Sequence, residues 1–288
     1  MSGRVHFFEN TLIVTKCESA ILLCYNEKNN MTSWGKKMKL TLTNVTKKFD
    51  QQTIIDDASF TFEKGKIYGL LGRNGSGKTT LFNCISRNLP LDGGQIAFDE
   101  EGVSRQNYEN TDVGFVYATS HLPGFLTGYE FVKFFIEVNQ ARIQGIQDPS
   151  VYLLEAGIEE KDHHRLLRDY SYGMHNKVQM LVTMMVHADV LLLDEPLTSF
   201  DVVAAHEMKK LIIAQKENSV VIFSTHILQL AQDLCDEIVL LHDGKLTSIS
   251  AERIHDANFE EEIIALLSTN SEKQQMVSKT VVPNEAGE

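Results

Sequence analysis

The sequence lacks the features of disulfide-bonded or zinc-binding proteins, of membrane-spanning proteins and of duplex DNA-binding proteins. Its four cysteines, Cys17, Cys24, Cys84 and Cys235, show no CxxC spacing, which suits reduced thiols in a cytoplasmic protein rather than a disulfide or zinc framework. No run of about eighteen apolar residues is present, so we expect no membrane-spanning helix. Lys and Arg number 27 against 39 Asp and Glu, a net charge of −12. This balance argues against a duplex DNA-binding protein, which needs a basic face.

What is present is the composition of a globular protein. Hydrophobic residues make up 43% and charged residues 23% of the chain, typical of an apolar core with a soluble surface. A length of 288 residues favours one domain that carries a sub-domain. We expect this domain to span residues 38–267.

The two ends of the chain differ from the residues between them. In residues 1–37 the longest apolar stretch is too short, and lies too far in, for a secretory signal peptide. The codons of Trp34 and Gly35 (TGG, GGN) place consecutive guanines a few nucleotides upstream of the Met38 codon, which resembles a bacterial ribosome-binding site. We hypothesise that Met38 is the native start; the alternative is a genuine, loosely ordered extension. Residues 268–288 are polar and are expected to form a disordered tail.

Strand and helix patterns alternate from Met38 onward. Apolar and polar residues alternate near 40–45 and 57–62, and residues 237–249 have the pattern of a hairpin. These segments predict antiparallel strands. Helical patterns replace strand patterns over about 119–182. The expected fold is therefore α/β: a parallel sheet with an antiparallel β subdomain and an α-helical insertion. Almost continuous apolar runs predict the strands of the parallel sheet at 67–71, 113–117, 190–193 and 220–223.

A glycine-rich motif follows the first of these buried strands and opens a helix. It consists of Gly72, Arg73, Asn74, Gly75, Ser76, Gly77, Lys78, Thr79 and Thr80. Glycines let the backbone wrap around a phosphate and point its N–H groups at it, beside the positive end of the helix. Lys78 can add a charge at the β- and γ-phosphates, and Thr79 a hydroxyl for Mg²⁺. The motif predicts a P-loop NTPase (RecA-like) core.

Two carboxylates end a later buried strand. Asp194 and Glu195 directly follow the apolar residues 190–193. Beside a phosphate-binding loop, Asp194 can hold Mg²⁺ through water, and Glu195 can orient or deprotonate an attacking water. Such a strand end is common by itself, but together with the loop it predicts nucleotide hydrolysis.

Further motifs in the expected order make residues 38–267 resemble the ATP-binding subunit of an ATP-binding cassette (ABC) transporter. Phe49 stands where that family has an aromatic residue that stacks on adenine, and residues 113–130 stand where it has the lead into the helical insertion. The signature sequence of the family corresponds to Tyr170-Ser171-Tyr172-Gly173-Met174. Its D-loop corresponds to Ser199-Phe200-Asp201, and its switch histidine to His226.

The resemblance implies that two cassettes face each other head to tail with ATP and Mg²⁺ between them. The loop of one chain would hold the nucleotide, while Ser171 and Gly173 of the other close on its γ-phosphate. His226 would contact the γ-phosphate beside Glu195, and Asp201 would link the two sites. Binding of ATP would close the dimer, and hydrolysis would open it.

The resemblance also implies the partners. These are a separate transmembrane permease and a second cassette, identical or not, with no nucleic acid. Contact with the membrane would be through the permease, at the inner face of the cell membrane. Export is favoured over import by family analogy alone.

Two positions depart from the family pattern. Ala118 stands where the family usually has a glutamine that reports the nucleotide state to the membrane subunit, so either Thr119, Ser120 or His121 replaces its polar group, or that link is weaker. Tyr172 stands where the signature usually has its first glycine. The resulting Ser-x-Gly-Met resembles ABC-2 type subunits, including drug and antimicrobial-peptide exporters. Low intrinsic turnover and pairing with a non-identical cassette would both be consistent with Ala118.

Apolar side chains are concentrated at the start of the helical insertion. They are Leu122, Phe125, Tyr129, Phe131, Phe134 and Phe135. Core packing of one helix face is the first interpretation for most of them; the alternative is an exposed cleft for a short helix of a membrane partner. His163 and His164 are expected in a solvated loop rather than in a metal site.

Three alternatives keep part of this pattern. A soluble ABC protein that acts on ribosomes or DNA usually carries two cassettes or a long coiled coil, and neither is evident here. A P-loop kinase would need neither the signature nor the D-loop. A clamp that binds ATP with weak hydrolysis is favoured by Ala118 and disfavoured by Glu195 and His226.

Overall fold

The computed structural model describes residues 38–143, 148–198, 200–249, 253, 256 and 259–267. The hypotheses about residues 1–37 and the tail 268–288 concern residues outside these ranges, and so does the prediction for Ser199. The assigned bounds of the domain and of its insertion therefore stay predictions.

The helices and strands alternate along the described chain. The strands are β1 (Met38–Phe49), β2 (Gln52–Glu63), β3 (Ile67–Leu71), β4 (Gly93–Glu100), β5 (Val103–Arg105), β6 (Val113–Val116), β7 (Val190–Asp194), β8 (Val220–Thr225), β9 (Glu237–His242) and β10 (Lys245–Ile249). The α-helices are α1 (Lys78–Ile85), α2 (Gly128–Asn139), α3 (Pro149–Glu155), α4 (Tyr172–Met185), α5 (Val202–Gln215), α6 (Leu228–Leu234) and α7 (Phe259–Leu267). Short 3₁₀ turns lie at Asn110–Asp112, Glu160–Asp162 and Leu167–Asp169.

The central sheet of the described residues confirms the expected α/β fold. Its strand order is β10-β9-β3-β8-β7-β6, with β3, β6, β7, β8 and β9 parallel and β10 antiparallel to β9. Every residue of β3, β7 and β8 is buried, because helices and the second sheet cover both faces. The carboxyl ends of β3, β7 and β8 consequently meet at one edge.

A second, antiparallel sheet forms the expected β subdomain, with the order β2-β1-β4-β5. Its apolar face shares one core with α1 and one side of the central sheet, where Leu40, Phe62, Phe82, Leu192 and Ile222 are buried. Helices α4, α5 and α6 supply apolar side chains to a core that includes the other side of β7 and β8. The loop after β3 is thereby held between the two sheets.

Helices α2, α3 and the middle of α4 enclose a separate apolar core in the predicted insertion. Thr127 and Glu130 cap α2 reciprocally. Asp148 caps α3 and Pro149 is its first residue. Helix α4 begins at Tyr172, where the Ser171 hydroxyl accepts the Met174 N–H as an N-cap. It ends at Met185.

The prediction that His163 lies in a solvated loop is wrong. Its side chain is buried, with a residue exposure of 1%. Nε2 lies 3.0 Å from the Ile158 carbonyl oxygen, to which it can donate, and the His163 carbonyl accepts the Tyr129 N–H. His163 therefore joins the turn before α4 to the start of α2. His164 is exposed, with its ring centroid 5.1 Å from that of Tyr129.

Of the six apolar residues at the start of the insertion, two are exposed and four pack against the core. Phe125 and Phe134 are 77% and 56% exposed, and Val138, one turn after Phe134 on α2, is 65% exposed. The other four residues pack against the core of the insertion: Leu122, Tyr129, Phe131 and Phe135. None of the helices among the described residues is long and apolar enough to cross a membrane.

Candidate nucleotide-binding and catalytic site

A pocket of about 360 Å³ opens at the edge where β3, β7 and β8 end. It brings together most residues that the sequence assigned to nucleotide and Mg²⁺ binding. Its lining consists of Phe49, Ile54, Asn74, Gly75, Gly77, Lys78, Thr79, Thr80, Ala118, Asp194 and Glu195. Arg73 and Ser76 line a neighbouring pocket against the β9–β10 turn. Of the four residues from Ala118 to His121, Ala118 is the one in the 360 Å³ lining, and the replacement of the glutamine by a neighbour stays a prediction.

The phosphate-binding loop has the backbone that its glycines predict. Gly77 directly precedes α1 with φ 101°, and no side chain caps that end of the helix. A Cβ at Gly77 would lie 2.7 Å from Cγ2 of Ile54, too close for any larger residue. The first N–H groups of an α-helix have no partner within the helix and attract anions. The start of α1 is thus available to phosphate oxygens on the pocket side.

Lys78 extends along the loop instead of into solvent. Its ammonium donates to the carbonyl oxygens of Gly72 (2.8 Å) and Arg73 (3.1 Å). Burial lowers the pKa of Lys78, while the negative charges of Glu195 and Asp194 oppose the shift. A nearby phosphate would add negative charge and favour the ammonium form further.

Asp194 is held by two hydroxyl groups. Thr79 Oγ1 donates to Asp194 Oδ2 over 2.7 Å, and Ser224 Oγ donates to Asp194 Oδ1 over 2.5 Å. Ser224 Oγ also accepts the Glu195 N–H at 3.0 Å. The register of β7 with β8 places Asp194 directly beside Ser224, so the hydroxyl joins both carboxylate-bearing residues. This buried network leaves the Asp194 carboxylate at the pocket wall.

Glu195 and His226 form the second pair of the site. His226 Nδ1 lies 3.0 and 3.1 Å from the two carboxylate oxygens of Glu195, so the ring nitrogen can donate to an ionised carboxylate. Glu195 has a left-handed backbone with φ 50°, which is uncommon for a residue other than glycine, asparagine or aspartate. The Glu195 side chain is 17% exposed and that of His226 49%. A carboxylate in contact with an imidazole can accept a proton from water at the pocket mouth.

Phe49 stands at the pocket with one ring face occupied. The Lys47 ammonium lies 5.4 Å from the Phe49 ring centroid and 3.0 Å from Asp92 Oδ2. Asp92 Oδ2 also accepts the backbone N–H of Lys48 at 2.6 Å. The Lys47 side chain is nearly buried, so this cation–π contact holds the ring at the end of β1.

The signature and D-loop residues lie elsewhere in this chain. Ser171 caps α4 and Gly173 lies in its first turn, and neither lines the pocket. The Asp201 carboxylate accepts the N–H groups of Val203 and Ala204, both at 3.0 Å. These bonds, chiefly that of Ala204, lower the pKa of Asp201. Their expected roles toward a second cassette stay predictions.

Sequence reasoning missed three residues that shape the site. Ser224 could have been found, because it is the next-to-last residue of β8, the strand that neighbours the Asp194 strand. Lys47 and Asp92 gave no signal, since their contact joins β1 to the residue before β4 through tertiary packing.

A phosphate-binding loop, a Thr–Asp pair and a Glu–His pair at the carboxyl edge of a parallel sheet define a P-loop NTPase. The family profile described as ABC transporter matches residues 55–198, and the chain belongs to this family. It is an ATP-binding subunit of that family and an ATPase, as the sequence predicted.

Relatives and solved structures agree with this assignment. The chain is 29% identical over 228 residues to the uncharacterized ABC transporter ATP-binding protein YhcH of Bacillus subtilis, covering 78% of this chain and 73% of the relative. It is 29% identical over 231 residues to the bacitracin transport ATP-binding protein BcrA of Enterococcus faecalis, covering 75% and 70%. A dimeric ATP-binding cassette, MJ0796, bound to ADP and Pi in a post-hydrolysis state, has a similar fold with a TM-score of 0.62 at 20% identity, covering 74% of this chain and 98% of that one.

Proposed function

We propose that this chain hydrolyses ATP in the 360 Å³ pocket to drive a separate transmembrane permease that exports its cargo. The observation that carries the proposal is the network Thr79–Asp194–Ser224–Glu195, continued to His226, beside the phosphate-binding loop. It combines groups for a metal ion and for an attacking water in one pocket. Adenine would stack on the face of Phe49 that Lys47 leaves free.

The residues present fit Mg²⁺. Thr79 Oγ1 and Asp194 Oδ2 are hard oxygen donors 2.7 Å apart at the pocket wall, the ligand type that Mg²⁺ prefers. When bound, Mg²⁺ would neutralise charge on the β- and γ-phosphates. Lys78 and the loop amides would hold the phosphates, and Glu195 would accept a proton from the attacking water with His226 orienting its carboxylate.

A second cassette would complete the site. Ser171 and Gly173 lie at the N-terminus of α4, which is suited to an anion, yet they are absent from the lining of this chain's own pocket. If this chain supplies Ser171 and Gly173 to the γ-phosphate bound by a second chain, both their place at a helix N-terminus and their absence from this pocket are explained. Asp201 would then lie between the two sites. The partner can be a second copy or a non-identical cassette.

The permease would dock on the exposed apolar side chains of the insertion, Phe125 and Phe134. Export is supported by the similarity to a fluoroquinolones export ATP-binding protein of Mycobacterium tuberculosis, 31% identical over 196 residues. The chain would then lie at the cytoplasmic face of the cell membrane. Phe125→Ala should reduce transport while ATP affinity is retained; Val103→Ala, at a 70% exposed position on the antiparallel sheet, is the matched control. Equal loss in both variants would contradict docking at Phe125.

The deciding experiment uses tagged Glu195→Gln protein, which should bind ATP and not hydrolyse it. The protein is purified from gently solubilised native cells with ATP and Mg²⁺, and copurifying proteins are identified. We expect a polytopic membrane protein, lost when Lys78→Ala is added. A second cassette in the sample would identify a heterodimer. Ribosomes, DNA or no partner would refute the transporter proposal, and a slow wild-type ATPase that does not respond to the captured partner would favour a clamp.

A further inference from the structure

The two positions at which the sequence departs from its family touch each other. Tyr172 Oη donates a hydrogen bond of 2.6 Å to the carbonyl oxygen of Ala118. Tyr172 is the first residue of α4 and is 50% exposed, so no tight packing forces this contact. Ala118 lies two residues beyond β6 and lines the nucleotide pocket. One hydroxyl thus joins the pocket wall to the start of the signature helix.

Ala118 is close to the catalytic edge of the sheet. Strand β6 pairs in parallel with β7, and Val116 lies opposite Leu193, the residue before Asp194. The segment that follows β6 therefore leaves the sheet where Asp194 and Glu195 do. A change in that edge on nucleotide binding would reach the Ala118 carbonyl through the backbone.

The start of α4 is also tied to the helical insertion by the residue before its cap. Tyr170 is buried, and its hydroxyl donates to the Asp162 carbonyl at 2.8 Å. The Ser171 hydroxyl accepts the Met174 N–H, and Nδ1 of His175 lies 3.1 Å from the Ser171 carbonyl oxygen. The first turn of α4 is thus held on one side by the insertion and on the other, through Tyr172, by the nucleotide pocket.

We propose that Tyr172 is a positioning residue that couples nucleotide binding in this chain's pocket to the orientation of the N-terminus of α4. The Tyr172 hydroxyl performs this coupling through the backbone of residue 118, where the chain has no polar side chain. The proposal rests on the proposed function, because it needs a nucleotide in the pocket and a role for the signature turn.

The test is hydrogen exchange by mass spectrometry on the full chain in the Glu195→Gln background, with and without ATP and Mg²⁺. The protein is kept dilute enough that light scattering shows a monomer. Tyr172→Phe removes only the hydroxyl. Tyr129→Phe is the matched control, because its hydroxyl donates to Asp148 at 3.2 Å on the insertion, outside the pocket.

We expect ATP to slow exchange both in the phosphate-binding loop and in the first turn of α4. In Tyr172→Phe, ATP should still slow exchange in the loop. The factor by which ATP slows exchange in the first turn of α4 should fall about fivefold, which is the change in an equilibrium constant that one hydrogen bond supplies. Tyr129→Phe should match the parent. A purely structural hydroxyl would change exchange equally with and without ATP.

Each other outcome is decisive. Retention of the ATP effect at α4 in Tyr172→Phe would overturn the coupling, and so would its absence from the parent. Absence of any ATP effect at the phosphate-binding loop of the parent would instead refute the proposed function. In the wild-type background, steady-state kinetics should show a lower kcat for Tyr172→Phe with KM for ATP unchanged; a rise in KM alone would also count against coupling.

Discussion

Ser224→Ala is the most informative single substitution in the site. Ser224 is fully buried at the end of β8, and its hydroxyl donates to Asp194 and accepts from the Glu195 N–H. Alanine removes both bonds and changes little volume. Asp194 Oδ1 and one backbone N–H would each lose the partner that Ser224 provides.

The expected cost follows from the character of these two bonds. A hydrogen bond to a charged group contributes about 1.5–3 kcal/mol and a neutral one about 1 kcal/mol, so we expect the free energy of unfolding to fall by about 3 kcal/mol. Ser219→Ala is the matched control on the segment leading into β8: Ser219 is also buried, and its hydroxyl donates to the Ala188 carbonyl at 2.6 Å. That variant should lose about 1 kcal/mol.

The assay is urea unfolding followed by circular dichroism, with the m value checked for constancy. The melting temperature should fall by about 6–12 °C for Ser224→Ala and about 2–4 °C for Ser219→Ala. ATP hydrolysis at limiting Mg²⁺ should fall in the first variant and not in the second, because Ser224 contacts Asp194 and Ser219 does not. Equal destabilisation in both variants would refute the argument that the Asp194 network is a buried, charge-assisted one.

Three further predictions concern other parts of the chain. Gly128→Ala should destabilise the protein by about 1–3 kcal/mol in urea unfolding, because the new Cβ would lie 2.2 Å from Tyr170 Oη; Tyr170→Phe in the same chain should recover part of the loss, and no recovery would contradict the clash. Burial raises the pKa of Cys84 to about 11, so its alkylation at pH 8 should be at least about 100-fold slower than in urea-unfolded chain; equal rates would show an accessible thiol. Phe49→Ala should raise the dissociation constant for ATP about tenfold through lost stacking, whereas Phe49→Trp should restore binding; an unchanged constant in Phe49→Ala would remove Phe49 from the site.

The parts of the fold that local pattern determines were predictable. Continuous apolar runs predicted β3, β7 and β8 to within two residues, because strands buried on both faces need no polar alternation. The phosphate-binding loop was also predictable, because its glycines allow backbone conformations that other residues rarely adopt, such as φ 101° at Gly77. Asp194 and Glu195 were placed correctly because the end of a strand fixes where the chain leaves the sheet.

The parts that tertiary contact determines were not predictable. His163 reads as a polar loop residue, yet the fold buries it between a turn and a helix. The contact of Tyr172 with Ala118 spans 54 positions and joins two residues that sequence reasoning treated as separate departures. Phe125 and Phe131 have the same side chain, and only tertiary packing leaves Phe125, before α2, exposed while Phe131, on α2, packs against the core of the insertion.

The left-handed backbone of Glu195 has a consequence for inherited variation at this position. A residue with a large side chain holds that conformation at a cost of about 1 kcal/mol, which glycine does not incur. Glu195→Gly would therefore relieve this backbone cost, in part offsetting the lost contact with His226, and would keep the phosphate-binding loop while lacking the carboxylate. Under the proposed function, such a chain would compete with the normal one for the same second cassette and permease. Glu195→Gly would thus act even when the normal chain is present, unlike a mutation that unfolds the chain.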